Sequence, residues 1–189
     1  MNEPQEQAQK DAPEHRLMFP AALIVYALLL GAALLWFYFR GRLSEVPQRA
    51  LGDHGPWVSL FAGTAVGLLC SGVFLLARRY LRSFRGLESR LAEIVGPLNE
   101  VEILGIALVS AIGEEFFFRG AMQDAWGIWW AAAVFGLLHS GPGLLLWGMV
   151  AFCLGLLFSC MVDYGLGLLS VTVAHALINN ISLRRMVPS

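Results

Sequence analysis

Charge is what this sequence has least of. Only 14% of its residues are Asp, Glu, Lys or Arg, against 57% hydrophobic, and the bases are twelve arginines to a single lysine. A formal net charge of −1 with no basic face excludes an electrostatic footprint for nucleic acid, and gives no ground for an acidic substrate. Cysteine is scarce as well. Cys70, Cys153 and Cys160 are odd in number and lie in apolar stretches without metal-ligand spacing, which excludes a disulfide framework and reads as small packing residues. The first sixteen residues lack the basic start of a cleaved signal peptide. They carry Glu3, Glu6, Asp11 and Glu14 with two prolines, the composition of a disordered tail, so the first apolar segment is expected to be retained. Also missing are the HExxH spacing of a zinc protease and the inverted repeat or paired broken helices of a secondary transporter.

What is abundant is apolar sequence in lengths that match a lipid bilayer, and the mean hydropathy of +0.63 does not describe a soluble domain. A spanning helix needs about 20 apolar residues. Six candidates fall at 17–39, 57–77, 101–125, 128–139, 144–162 and 166–183. Residues 78–100 instead mix five arginines with Tyr80, Leu81, Phe84, Leu87, Leu91 and Ile94, the pattern of an amphipathic helix lying at the membrane surface. The expected fold is therefore all-α: a polytopic membrane helix bundle of about six transmembrane helices plus one amphipathic interfacial helix. It divides into a tail over 1–16, two spans and the amphipathic linker over 17–100, a second bundle over 101–183, and a tail over 184–189.

Orientation follows the basic residues close to span ends. Arg78, Arg79, Arg82, Arg85 and Arg90, with Arg184 and Arg185, mark one side as cytoplasmic, and both termini are expected there. Arg40, Arg42 and Arg49 face the other way, alongside the turns at 124–127 and 163–165. Arginine in place of lysine, with abundant Ala, Gly and Leu, points to a GC-rich bacterial genome and hence to the inner membrane.

Against this background Glu114, Glu115 and Arg119 stand out, three charges within six residues. A lone ionised side chain at bilayer depth costs at least about 2.5 to 3.5 kcal/mol, so such groups read as a functional site. Counting about 1.5 Å per residue, Glu114 and His139 each lie about 18 Å from the turn at 126–127 that separates their helices. His175 lies about 15 Å from the next turn, at a similar level. Positions four apart share a helix face, which pairs Glu115 with Arg119 and His175 with Asn179. Glu114 is rotated about 100° from Glu115, so the two carboxylates have different tasks. Arg119 holds Glu115 ionised as a structural clamp. Glu114 is left to activate water with His139, and His175 and Asn179 are placed as oxyanion donors for amide hydrolysis.

Competing readings remain beside this one. Glu114, His139 and His175 are also a zinc ligand set, although no cofactor is expected. A single buried His is more often an interhelical hydrogen-bonding group than a catalyst, and the same cluster would serve a proton-coupled transporter, or a self-immunity or scaffold protein without proteolytic activity. His15 and His54 lie in polar flanks. Phe116, Phe117 and Phe118 read as lipid-facing or packing residues, and Trp126, Trp129, Trp130 and Trp147 as an interface belt or bundle packing.

Three short motifs gather these residues: Glu-Glu-x-x-x-Arg at 114–119, Phe-x-x-x-His at 135–139 and His-x-x-x-Asn at 175–179. In this order, on successive expected spans, they resemble those of the CPBP family, the CAAX proteases and bacteriocin-processing enzymes also called Abi proteins. The resemblance covers residues 101–183. It implies a membrane-embedded endopeptidase acting on membrane-tethered proteins near a C-terminal anchor or tail, with a glutamate mechanism that needs no metal. Glu114 and His139 would be its water-activating pair, His175 and Asn179 its oxyanion site, and Glu115 and Arg119 the support, with Asn180 as a second amide beside Asn179. A bacterial source argues against prenylated substrates, and the small size is similar to that of compact sorting proteases of the myxosortase type. The implied partners are a membrane-anchored protein or peptide and the lipid bilayer. Oligomeric state is not legible.

Overall fold

The computed structural model describes residues 18–186. The tail expected over 1–16 and the last three residues of the C-terminal one lie outside the described residues. Within them all regular structure is helical: α1 (Met18–Phe39), a 3-10 turn, α2 (Val46–Leu51), α3 (Pro56–Tyr80), α4 (Arg82–Val95), α5 (Glu100–Glu115), a π-helical segment (Phe116–Met122), α6 (Gln123–Trp126), α7 (Ile128–Leu138), α8 (Leu145–Asp163) and α9 (Gly167–Met186).

By length and composition three of these can cross a bilayer, α1, α3 and α8. The other three expected spans are not among them, each for its own reason. The span over 101–125 is interrupted, because α5 gives way to a π segment immediately after Glu115. The span over 128–139 is an eleven-residue helix. The last, α9, has the length, but Ser170, Thr172, His175, Asn179 and Asn180 lower its apolar character. The residues that make a site are those that weaken the span signal.

Local chemistry sets the start of α5 and so the register of Glu114. Asn99 Oδ1 accepts from the backbone N–H groups of Val101 (2.9 Å) and Glu102 (3.0 Å), while the Glu102 carboxylate accepts from Asn99 N–H (2.8 Å), a reciprocal capping box. The amphipathic helix is present as α4. Its Leu87 is buried and its Phe84 meets Phe74 of α3.

The helices pack through small residues. Ser59, Gly63, Gly67 and Ser71 recur every four positions on α3 and are all buried, letting its backbone approach α9 at Ser170 and Ala174. Lipid tails are as apolar as leucine, so close van der Waals packing of this kind holds membrane helices together where hydrophobic burial does not. At Gly113 of α5 a side chain would place its Cβ 2.7 Å from the Tyr26 carbonyl oxygen of α1. One apolar cluster joins Leu29 and Trp36 of α1 to Phe118, Met122 and Phe135, and another joins Val66, Cys70 and Phe74 of α3 to Phe158, Val171 and Ile178. The expected blocks 17–100 and 101–183 thus share their cores.

The two ends of the bundle are distinct. At one, Asp124 binds Arg42 (2.5 Å), Arg49 (2.8 Å) and Arg40 (3.8 Å), and Asp53 N–H donates to the Gly165 carbonyl (2.8 Å). Gly52 has φ +72°, and a Cβ there would lie 2.5 Å from Gly165 O, so only glycine serves. At the other end Arg78 pairs with Glu88 and Arg184 with Glu100. The three cysteines are free thiols. Cys70 packs as expected, whereas Cys153 and Cys160 are exposed on the outer face of α8, where a small polarisable side chain meets no neighbouring helix.

Candidate active site

The capping box and Gly113 bring Glu114 and Glu115 into the bundle interior, where they are 7% and 0% exposed. Arg119, one turn on, is 1% exposed and its Nη1 donates to Glu115 Oε1 at 3.1 Å. Burial of a guanidinium this deep needs more than one partner. Its Nε and Nη2 have no hydrogen-bond partner among the described residues. Three aromatic faces supply the rest. The guanidinium carbon lies 4.2 Å from the Phe135 ring centroid, 5.6 Å from that of Phe158 and 5.9 Å from that of Phe118. Gly155 gives it room, since a Cβ there would lie 3.2 Å from Arg119 Nη2. The π segment, a form of helix that recurs at functional sites, carries Arg119 and Phe118 into this box, so Phe118 is a packing residue.

The clamp expected of Glu115 and Arg119 has a third member. His175 Nδ1 lies 2.7 Å from the same Glu115 Oε1, so His175 reaches Glu115 as well as the level of Asn179. Its other nitrogen, Nε2, is 3.8 Å from Glu114 Oε2. His139 stands symmetrically on α7, its Nε2 also 3.8 Å from Glu114 Oε2. His139 Nδ1 donates to the Phe135 carbonyl at 2.8 Å, which leaves Nε2 as the basic nitrogen facing Glu114 in the neutral ring. Glu114 Oε2 is buried without a hydrogen-bond partner among the described residues. Gaps of 3.8 Å are too long for direct hydrogen bonds and suit one water molecule touching both groups.

Asn179 Nδ2 donates to Ser110 Oγ at 3.0 Å and still carries a second N–H. Asn180 points elsewhere, accepting from Arg184 Nε at 3.0 Å. All six residues singled out in the sequence, Glu114, Glu115, Arg119, His139, His175 and Asn179, therefore meet in one cluster. Ser110 was not singled out, although it precedes Glu114 by one turn on the same face. Trp147 was read as belt or packing, and its ring lies 6.0 Å from that of His139. His54 lies at the far end of the bundle, against the Tyr164 carbonyl.

Glu114, His139, His175 and Asn179 open into a cavity of about 300 Å³ that runs beneath α4, past Leu87 and Leu91, to Arg78 and Arg185. Its walls are mainly apolar side chains. Among the described residues no three His, Cys, Asp or Glu side chains are grouped closely enough to hold a metal ion. Of the zinc set, the Nε2 atoms of His139 and His175 each face Glu114 Oε2 at 3.8 Å, and His175 Nδ1 is taken up by Glu115.

No curated protein and no solved structure matches the chain. One family model does, that described as type II CAAX prenyl endopeptidase, Rce1-like, over residues 97–181. The match runs from the turn before α5 to α9 and takes in Glu114, Glu115, Arg119, His139, His175 and Asn179. This site lies inside the segment that matches the Rce1-like family, a family of CAAX prenyl endopeptidases and so of peptide hydrolases, in a chain with three helices fit to cross a bilayer.

Proposed function

We propose that the chain cleaves membrane-tethered proteins near a C-terminal anchor or tail, using a water molecule activated by Glu114. The observation that carries this reading is the position of one carboxylate oxygen, Glu114 Oε2, 3.8 Å from the Nε2 atoms of both His139 and His175 at the end of an apolar cavity. A water seated there gives one proton to Glu114 as its oxygen attacks the scissile carbonyl carbon, with His139 Nε2 accepting the second O–H as a hydrogen bond. The carbonyl oxygen becomes an oxyanion, met by the free N–H of Asn179 and by Nε2–H of His175. That role requires His175 to carry a proton on each nitrogen. Charge balance favours it: Arg119 and imidazolium His175 offset carboxylates Glu114 and Glu115. When the tetrahedral intermediate collapses, the C–N bond breaks and the leaving amine takes the proton held by Glu114, restoring the carboxylate.

Two features support a substrate entering from an apolar anchor. The cavity is lined mainly by apolar side chains, as suits a peptide leaving lipid, and Arg78 and Arg185, which also line it, are suited to the headgroup region. The end that bears Arg78 and Arg185 is the cytoplasmic one on this reading, with the membrane an inner membrane crossed several times. Residues 101–183 supply the catalytic groups.

The test uses the protein purified in detergent with candidate tail-anchored substrates. Glu114→Gln and His139→Ala should each lower cleavage by about 10²- to 10⁴-fold, the usual worth of acid–base groups. Wild-type rates in either variant would remove that residue from the water-activating pair. No step above runs through zinc. Chelator treatment should leave activity intact, and a loss that added zinc restores would contradict the mechanism.

A further inference from the structure

Glu114 is held at its backbone by α5, yet the mechanism needs its carboxylate held too, with Oε2 kept between two imidazoles. The groups that face it are Glu115 and Arg119 from its own strand of helix, His139 from α7, and His175 and Asn179 from α9. None of them binds it directly in the structure. One group remains, and it comes from outside the segment that matches the family. Tyr26 of α1 lines the same cavity as Glu114 and packs against Gly113, the residue before it.

Two further observations make this more than proximity. Tyr26 is the one hydrogen-bonding side chain between Phe19 and Leu35 in an otherwise uncharged, aliphatic helix. A phenolic hydroxyl in such a setting is unfavourable unless it finds a partner. The second is Gly113. A Cβ there would lie 2.7 Å from Tyr26 O and 3.2 Å from Tyr26 Cβ, so the residue before Glu114 must lack a side chain for Tyr26 to come this close.

We infer that Tyr26 is a positioning residue for the hydrolytic reaction: its O–H donates to the Glu114 carboxylate and holds Oε2 toward His139 and His175. The inference rests on the reading of Glu114 as the base. It makes α1 part of the catalytic unit and gives the N-terminal span a task beyond anchoring.

The experiment measures kcat, KM and thermal midpoint for the full-length chain with Tyr26→Phe, which keeps the ring against Gly113 and removes only the hydroxyl. A hydrogen bond to a charged group gives an expected fall in kcat of about 10- to 100-fold, with KM and thermal midpoint at wild-type values. Combined with Glu114→Gln, the same substitution should lower the residual rate no further, because its effect passes through the carboxylate. Wild-type kcat in Tyr26→Phe overturns the inference. So does a fall in kcat accompanied by a raised KM or lowered midpoint, which would assign the hydroxyl to binding or packing. Wild-type activity in Glu114→Gln would instead overturn the general-base reading, and is seen without reference to Tyr26.

Discussion

At the residue scale the site is a problem of burying charge. Glu115 is wholly enclosed and meets Arg119 and His175 through the same oxygen, Oε1, so removing it leaves two buried cationic or polar partners without an acceptor. Breaking one side of a buried pair typically costs about 3 to 5 kcal/mol. Glu115→Ala should accordingly lose about that much stability in chemical unfolding, and a variant as stable as wild type would refute the clamp. Arg119→Lys should also destabilise, since an ammonium cannot spread itself across the Phe118, Phe135 and Phe158 rings as a planar guanidinium does. The Glu115–Arg119 pair was legible because four-residue spacing fixes a shared face. The bond from His175 to Glu115 was not, because counting along helices gives depth and says nothing of how one helix is rotated toward another. Tyr26 was invisible for a similar reason: which residue of α1 packs on α5 beside Glu114 depends on the close approach at Gly113, a tertiary contact.

At the element scale the bundle depends on where backbones can touch. A side chain at Gly63 would meet the Ser170 backbone of α9 directly, so Gly63→Leu should separate α3 from α9 and destabilise the protein by about 1 to 3 kcal/mol, the usual range for overpacking. Unchanged thermal unfolding would show that this contact is not needed. The helices were mostly readable from apolar length and from punctuation such as Gly127. The π segment was not, because Phe116 to Met122 carries no breaker and its widened turn answers to the packing of Arg119 inside the fold. The turn between α1 and α3 has its own electrostatics. Hydrogen bonds from Arg42, then Arg49, hold the Glu45 carboxyl below its ordinary value. A carboxyl depressed in the folded state adds stability above the unfolded pKa and loses it as pH falls through the folded one. Glu45→Gln should therefore flatten the acid side of the stability–pH curve slightly, and an unchanged curve would show the pairs are inert.

For the whole molecule, the matched segment 97–181 ends at a sequence boundary that the core does not respect. Trp36 of α1 packs on Phe117 and Trp126, and Val66, Cys70 and Phe74 of α3 pack around Phe158 and Ile178. A chain reduced to 97–189 should thus fail to fold into an active enzyme even in lipid, as read by cleavage and by protease resistance. The all-helical bundle and its polar cluster followed from composition and three motifs. The number of spans did not, since functional polar residues and a short α7 hide what packing reveals. What unites these scales is the proposed role of Glu114 as base. Its decisive measurement is the rate of substrate cleavage by purified Glu114→Gln against wild type, at matched fold stability. A fall of about 100-fold or more is expected for loss of a general base, and cleavage at the wild-type rate would contradict the glutamate mechanism.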